Sequence, residues 1–177
     1  MDFGPTANLV SGLLVACMYE TCEIYQEGSW QHLQNTITTR TRHSSATMND
    51  SVLLIGGTWS NTTEWIPVNG SSPHLGPFSV RHGQDHCTIQ TSDNVLVVTG
   101  GVRTEDFVTE YQLANGKETP LTSMGQPRFA HACSVYRDTD GQQVTKRLYS
   151  CKYCNVLQQF VYFLEPPDWR APRLLVF

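Results

Sequence analysis

A segment of about 45 residues occurs twice in the middle of this 177-residue chain, and that repetition limits the folds open to it. In each copy a polar stretch with a histidine (His43 or His86) leads into a short apolar run that ends in two glycines. The glycine pairs are Gly56-Gly57 and Gly100-Gly101, which lie 44 residues apart. Repetition at this length predicts small units that stack on their neighbours instead of one undivided core.

Further matches extend the pattern. Each glycine pair is followed by a Thr-Glu-aromatic triplet, Thr63-Glu64-Trp65 in the first copy and Thr109-Glu110-Tyr111 in the second. A partial copy precedes the first, with Gly12-Leu-Leu-Val-Ala-Cys17 at the place of the strand and glycine pair. A third copy starts at Arg128 and carries His131, but the pattern is lost at Val144.

The apolar runs predict strands. Val52-Leu-Leu-Ile55 and Val95-Leu-Val-Val98 are too short for helices, and unbroken apolar runs are typical of strands buried on both faces. Asn49-Asp50 and Ser92-Asp-Asn94 precede them and predict hairpin turns. Paired glycines allow close approach of backbones and dihedral angles that other residues resist. The sequence therefore predicts an all-β protein.

Glycine pairs after a buried strand, then a Glu and an aromatic residue, then an Arg-x-x-His segment such as Arg40-Thr-Arg-His43, resemble the Kelch repeat. The resemblance implies a β-propeller with one four-stranded blade per repeat. Propellers have ~4–8 blades, and the resemblance implies about six or seven for a Kelch propeller. At ~45 residues per blade this chain supplies at most four, so we expect a partial propeller of Kelch-type blades that is not a closed ring. The chain then divides into an incomplete blade (1–40), two Kelch repeats (41–83 and 84–127), the start of a further repeat (128–143) and a divergent tail (144–177).

Residues that recur once per repeat are assigned structural roles, because a catalytic residue is usually unique whereas a packing residue is copied. The repeated residues are Gly56, Gly57, Gly100, Gly101, His43, His86, His131, Glu64 and Glu110. A metal site with one histidine per repeat, acid–base catalysis by the glutamates, and a phosphate cradle at the glycines are the alternatives, and each is disfavoured. We expect no catalytic residue, no metal and no cofactor.

The resemblance implies that partners bind the loops after each glycine pair and around each arginine segment. The candidates are Arg42, Trp59, Arg81 and Arg103. Arginine suits carboxylate recognition, because its planar guanidinium donates two parallel hydrogen bonds. An exposed tryptophan is a common anchor of protein interfaces.

Charge restricts the class of partner. The net charge is −4 and the 12 lysines and arginines are dispersed, which disfavours nucleic acid. No apolar run reaches the ~18 residues of a membrane-spanning helix. We expect another protein as partner, and self-association through the blade faces that an open ring exposes.

The compartment is open at this stage. Six cysteines allow fifteen disulfide pairings, and three Asn-x-Ser/Thr sequons begin at Asn49, Asn61 and Asn69. The apolar run 9–18 lacks the basic flank of a signal peptide, so the cytoplasm is slightly favoured over secretion. Cys151 and Cys154 have no second ligand pair nearby, which disfavours a zinc site.

The sequence therefore predicts a non-catalytic protein–protein interaction module. One alternative is a secreted or cell-surface Kelch protein with disulfides. Another is a fragment of a galactose oxidase-like propeller enzyme, although no copper-ligand set is recognised. A fragment or altered splice product of a longer propeller is a further alternative, because the pattern stops abruptly at Val144.

Overall fold

The structure is a computed structural model, and it describes residues 6–130, 132–133, 148–149, 162–164 and 173–175. Every regular element in these ranges is a β-strand, which confirms the predicted all-β class. The strands are β1 (Thr6–Val10), β2 (Leu13–Gln26), β3 (Ser29–Arg40), β4 (Ser44–Met48), β5 (Ser51–Ile55), β6 (Thr62–Pro67), β7 (His74–Ser79), β8 (Cys87–Ser92), β9 (Val95–Thr99), β10 (Val108–Gln112), β11 (Glu118–Pro120), β12 (Ala132–Cys133), β13 (Leu148–Tyr149), β14 (Tyr162–Leu164) and β15 (Arg173–Leu175).

Most of these strands form three antiparallel sheets, each built from strands that follow one another along the chain. Sheet 1 has the order β1-β2-β3, sheet 2 the order β4-β5-β6-β7, and sheet 3 the order β11-β10-β9-β8. Strands β12 and β13 form one short pair and β14 and β15 another. In the described part of the chain no helix is long and apolar enough to span a membrane. His131 and most of residues 134–177 lie outside the described residues.

Strand β2 turns back on itself. Its first half pairs with β1 up to Cys17, and its second half pairs with β3 from Tyr19 to Gln26. A disulfide joins Cys17 to Cys22, whose Cα atoms are 4.1 Å apart, whereas an extended strand would separate them by about 17 Å. The reversal lies between these cysteines, where Tyr19 has a left-handed φ of 58°. Sheet 1 therefore has four extended segments, as sheets 2 and 3 have four strands.

The hydrophobic core lies between the sheets as two clusters, and β5 contributes side chains to both of them. Leu53 and Ile55 pack with Leu96 of sheet 3, whereas Val52 and Leu54 pack with sheet 1. These four side chains have no exposed surface, so β5 is buried on both faces. Burial of one such side chain is worth about 1.5–3 kcal/mol, and only a neighbouring sheet can provide it here. The two predicted apolar runs thus form strands buried on both faces, as expected.

The first strands of successive sheets lie side by side. Strand β1 contacts β4, β4 contacts β8, and β8 contacts β12. Polar side chains join them: Asn8 Nδ2 donates to Ser45 Oγ at 2.9 Å, and the hydroxyls of Ser44 and Thr88 are hydrogen-bonded. A disulfide between Cys87 and Cys133 links β8 to β12. The first strands of sheets 1, 2 and 3 are therefore neighbours, and β12 continues this series.

The outer face of sheet 1 is largely exposed. Leu9 is 68% exposed and Trp30 is 46% exposed, and the Tyr25 ring meets the Trp30 ring edge-on at 5.4 Å. Apolar side chains gathered on an open sheet face are unusual on a monomer surface. This is where the predicted self-association would act, and it stays a prediction.

Candidate functional site

The stack has two ends with different connections. One end, called the loop end, carries the loops 56–61, 80–86 and 100–107, which follow the glycine pairs or join one sheet to the next. The other, called the turn end, carries the tight turns 11–12, 49–50 and 93–94 and the connections 68–73 and 113–117. All four residues predicted to bind a partner lie at or beside the loop end.

Both glycine pairs occupy equivalent, crowded positions at the loop end. Gly57 and Gly101 have φ values of 111° and 106°, a region that disfavours other residues. A Cβ atom on Gly57 would lie 2.6 Å from Thr41 O and 3.0 Å from His43 Cβ. A Cβ atom on Gly101 would lie 3.1 Å from His86 Cβ. Each glycine pair thus packs against the histidine of its own repeat, which explains why the two recur together.

Left-handed backbone positions recur with the same period. Arg42, Asp85 and Ala130, each one residue before a repeat histidine, have φ values of 54°, 62° and 50°. The backbone N–H of Asp85 donates to Arg42 O at 3.0 Å, and that of Ala130 donates to Asp85 O at 2.8 Å. A second series contains Trp59 and Arg103, two residues after their glycine pairs, with φ values of 67° and 73°. Non-glycine residues hold this conformation only where the surroundings impose it, so these loops are firmly shaped.

A fully buried ion pair joins sheet 1 to sheet 2. Arg40 Nη2 lies 3.0 Å from Glu64 Oε2, and neither side chain has any exposed surface. The Glu64 carboxylate also accepts hydrogen bonds from the backbone N–H groups of Ile37 and Thr38 in β3. Arg40 Nη1 donates to Gly56 O at 3.2 Å. Burial lowers the pKa of Arg40, and the neighbouring Glu64 carboxylate opposes that shift. This arginine is therefore a structural residue of the core.

At the corresponding place in sheet 3, a hydrogen-bonded histidine and threonine stand where sheet 2 has the ion pair. His82 is buried, its Nδ1 lies 2.8 Å from Gly100 O, and its Nε2 lies 3.0 Å from Thr109 Oγ1. Its histidine pKa is lowered, mainly by burial. In the strand register Thr109 faces Val98 as Glu64 faces Leu54, so Thr109 occupies the position equivalent to Glu64.

One sequence-based alignment needs correction here. The triplet alignment pairs Glu64 with Glu110, but Glu110 is one residue out of register and only partly buried. His82, in the loop 80–86, contacts Gly100 O of sheet 3 as Arg40 contacts Gly56 O of sheet 2. The signal for His82 was its place four residues before His86, close to the three-residue spacing from Arg40 to His43.

The repeat histidines are packed between sheets. Burial, with the nearby Arg40 charge and His86, lowers the pKa of His43 to about 3, so its imidazole is neutral at neutral pH. His86 Nδ1 lies 2.6 Å from Gly83 O, and its ring lies against Gly56 of the preceding sheet. Among the described residues no three histidine, cysteine or carboxylate side chains gather in a metal-binding group. His131 lies outside those residues, so its assigned role stays a prediction.

Two of the four candidate binding residues already have acidic partners. Arg42 Nη1 lies 3.3 Å from Asp85 Oδ2. Burial raises the pKa of Asp85, and Arg42 opposes that shift. Arg81 Nε lies 3.0 Å from Glu118 Oε1, although the Arg81 side chain is 72% exposed. These pairs hold the two guanidinium groups in place and partly neutralise them.

The other two candidates project from the loops. Trp59 is 72% exposed, and Arg103 is exposed as well. The backbone N–H of Arg103 donates to Glu105 Oε1 at 3.0 Å, and the loop before Trp59 is fixed by a hydrogen bond from Thr58 N to Thr41 O at 2.8 Å. Trp59 and Arg103 occupy equivalent loops of sheets 2 and 3, so they extend from the same end of the stack.

An open cavity of about 660 Å³ lies at the loop end, where sheet 2 meets sheet 3. It is lined by Gly57, Ser60, Asn61, Ser79, Val80, Arg81, His82, Gly83 and Glu118. Its size falls within the range of small-ligand sites, and its walls offer both hydrogen-bond donors and acceptors. The charged groups of the lining are the paired Arg81 and Glu118. Such a lining suits a polar or charged side chain of a partner.

Comparison with known proteins gives a likeness of fold. No protein-family model matches the chain, and no curated protein matches it. Among solved structures, one titled "Structure of YjhT" is similar, with a TM-score of 0.62 and 11% sequence identity. The match covers 75% of this chain and 55% of that one, so the chain spans little more than half the length of this neighbour. At this identity the likeness extends to the fold alone.

Proposed function

We propose that the chain is a non-catalytic protein–protein interaction module built as a partial β-propeller of Kelch-type blades. Three antiparallel sheets whose first strands lie side by side support this architecture. The equivalent settings of Gly57 and Gly101 support the repeat on which the Kelch resemblance depends. The partner binds the loop end, where Arg42, Trp59, Arg81 and Arg103 lie.

One observation carries this proposal: Trp59 is 72% exposed and stands on a backbone held at a φ of 67°. A large aromatic side chain left in water gives up the free energy that its burial would provide. Holding a non-glycine residue at a left-handed φ costs about 1–3 kcal/mol as well. The loop is already shaped, so a partner that buries the indole does not have to order it first. Arg103, in the equivalent loop of sheet 3, adds a cation to the same surface.

The test is affinity capture from cells that express the chain, with cross-linking from a photoreactive residue at position 59. A buried tryptophan anchor contributes about 2 kcal/mol or more, so Trp59→Ala should weaken capture of the partner roughly thirty-fold. Arg103→Ala should weaken it less. The folded state of each variant is checked by thermal unfolding, which neither exposed substitution should change by more than about 0.5 kcal/mol.

Trp30→Ala is the matched control, because Trp30 is also an exposed tryptophan but lies on the outer face of sheet 1. It should leave capture unchanged. Equal loss of the same captured protein with Trp30→Ala and Trp59→Ala would show non-specific adhesion through exposed aromatic rings and would overturn the proposal.

A second proposal concerns the compartment: we propose an oxidising environment instead of the cytoplasm, and two disulfides support it. Cys17–Cys22 closes the reversal in β2, and Cys87–Cys133 links the first strands of neighbouring sheets. Disulfides of this structural kind persist in secreted and cell-surface proteins and are rare in the cytosol. We therefore favour a secreted or cell-surface form of the same interaction module.

Peptide mapping without reduction tests the compartment. Protein expressed through a secretory pathway should yield peptides joined at Cys17–Cys22 and at Cys87–Cys133. The same chain expressed in a reducing cytosol should be less stable. Free thiols at all of these cysteines in the folded, secreted protein would contradict the proposal.

A further inference from the structure

Three sequons place an asparagine at the protein surface. Asn49, Asn61 and Asn69 each begin an Asn-x-Ser/Thr sequence, and each is exposed in the folded chain. None of the three lies inside a strand. Glycans are attached to this sequence in proteins that enter the secretory pathway, and the folded protein must leave room for them. A sequon buried within a sheet would leave no room for a glycan, so exposure of the asparagine is a necessary condition for glycosylation.

Asn49 and Asn69 lie close together at the turn end. Asn49 is in the hairpin turn between β4 and β5, with a φ of 49°. Asn69 is in the connection between β6 and β7, where its Oδ1 accepts a hydrogen bond from the backbone N–H of Ser71 at 3.0 Å. The backbone N–H of Val68 donates to Asp50 O at 2.9 Å, which joins the two connections.

Asn61 lies at the opposite end. It lines the cavity at the loop end, two residues from Trp59, and its backbone oxygen accepts a hydrogen bond from Val80 N at 2.7 Å. The five residues of β5 separate the two ends by about 17 Å. A glycan at Asn61 would cover the proposed binding loops, whereas glycans at Asn49 and Asn69 would leave them open.

We propose that Asn49 and Asn69 are N-glycosylation sites, and that the carbohydrate occupies the end of the stack opposite Trp59. The donor is a lipid-linked oligosaccharide diphosphate. The side-chain nitrogen Nδ2 forms a bond to C1 of the first sugar, the bond from C1 to the phosphate oxygen breaks, and the amide loses one proton as the lipid diphosphate leaves. This assignment rests on the oxidising compartment proposed above, because the transfer takes place where disulfides form.

The experiment expresses the full chain behind a cleavable secretion leader in glycosylating eukaryotic cells. Glycans are removed with peptide N-glycosidase in heavy-oxygen water, which converts each glycosylated asparagine to a labelled aspartate that mass spectrometry locates. Protein retained in the cells is analysed with the secreted fraction. The wild-type chain is compared with Asn49→Gln, Asn69→Gln and Asn61→Gln.

Labels at residues 49 and 69 are expected, and each of the first two glutamine variants should remove one glycan while Asn61→Gln removes none. Unlabelled Asn49 and Asn69 in protein with intact disulfides would overturn the glycosylation sites and leave the compartment proposal standing. Free thiols would overturn the compartment proposal itself. A label at Asn61 would place carbohydrate beside Trp59 and overturn the separation of the two ends.

Discussion

Glu64→Gln is the substitution that most directly tests how the sheets are held together. It keeps the size of the side chain but removes its charge, so Arg40 is left buried without a counter-ion. The amide group also cannot accept hydrogen bonds at both of its terminal atoms, so either Ile37, or Thr38 and Arg40 together, lose their acceptor. Breaking a fully buried ion pair on one side costs about 3–5 kcal/mol.

That cost is a large part of the roughly 5–15 kcal/mol that stabilises a typical domain. Urea unfolding should therefore show a midpoint shifted strongly towards lower urea for Glu64→Gln. Amide hydrogen exchange adds a local measurement, because Ile37 and Thr38 should exchange faster when the acceptor in sheet 2 is weakened. The reason is that Glu64 fastens β3 of sheet 1 to sheet 2.

Glu118→Gln is the matched control, since it breaks an ion pair of similar length whose Arg81 side chain is 72% exposed. Exposed pairs contribute about 0–1 kcal/mol, so this variant should unfold almost as the wild type does. The double variant Arg40→Met, Glu64→Gln should recover part of the lost stability, because it no longer buries a lone charge. Equal urea midpoints for Glu64→Gln and Glu118→Gln would refute the role given to the buried pair.

Three further predictions concern stability. Gly57→Ala should cost about 1–3 kcal/mol more than Gly70→Ala, because both glycines have left-handed φ values but only Gly57 faces a crowded backbone; equal thermal shifts would contradict this. His43 has a folded pKa near 3 against about 6.5 unfolded, so the unfolded chain binds the extra proton between these values and stability should fall by up to about 1.4 kcal/mol per pH unit as pH drops below 6.5. His43→Gln should flatten that slope in unfolding measured from pH 7 to pH 4, and an unchanged slope would argue against a buried neutral imidazole. The double variant Cys87→Ser, Cys133→Ser should lose up to about 4 kcal/mol by denaturant unfolding, because this disulfide spans 46 residues, and no loss would mean that the link does not restrain the unfolded chain.

Much of the strand arrangement could be predicted from the sequence, because it depends on local patterns. The run Val52-Leu-Leu-Ile55 has no polar side to turn to water, so a strand there has to be buried on both faces, and it is. The glycine pairs also indicate backbone angles that few other residues tolerate, and both Gly57 and Gly101 adopt such angles. These inferences need no knowledge of distant contacts.

The polar contacts between sheets could not be predicted in the same way. His82 and Arg40 do equivalent work with different chemistry, and no rule of spacing relates a buried histidine to a buried ion pair. Glu110 shares its sequence context with Glu64, but the connection from Gly100 to β10 is longer, so the strand register shifts by one residue. The disulfide pairing could not be chosen among the many possible ones, because Cys87 and Cys133 come together only when the sheets pack. Long-range packing decided each of these points.

The covalent closure of the reversal in β2 affects how the N-terminal part of the chain comes apart. In the described part of the chain, the buried face of sheet 1 packs against sheet 2. The Cys17–Cys22 bond, fully buried, fixes the alignment of the two arms of the hairpin independently of that neighbour. When sheet 1 separates from sheet 2, the two halves of β2 should therefore stay joined, so the centre of this sheet does not come apart strand by strand.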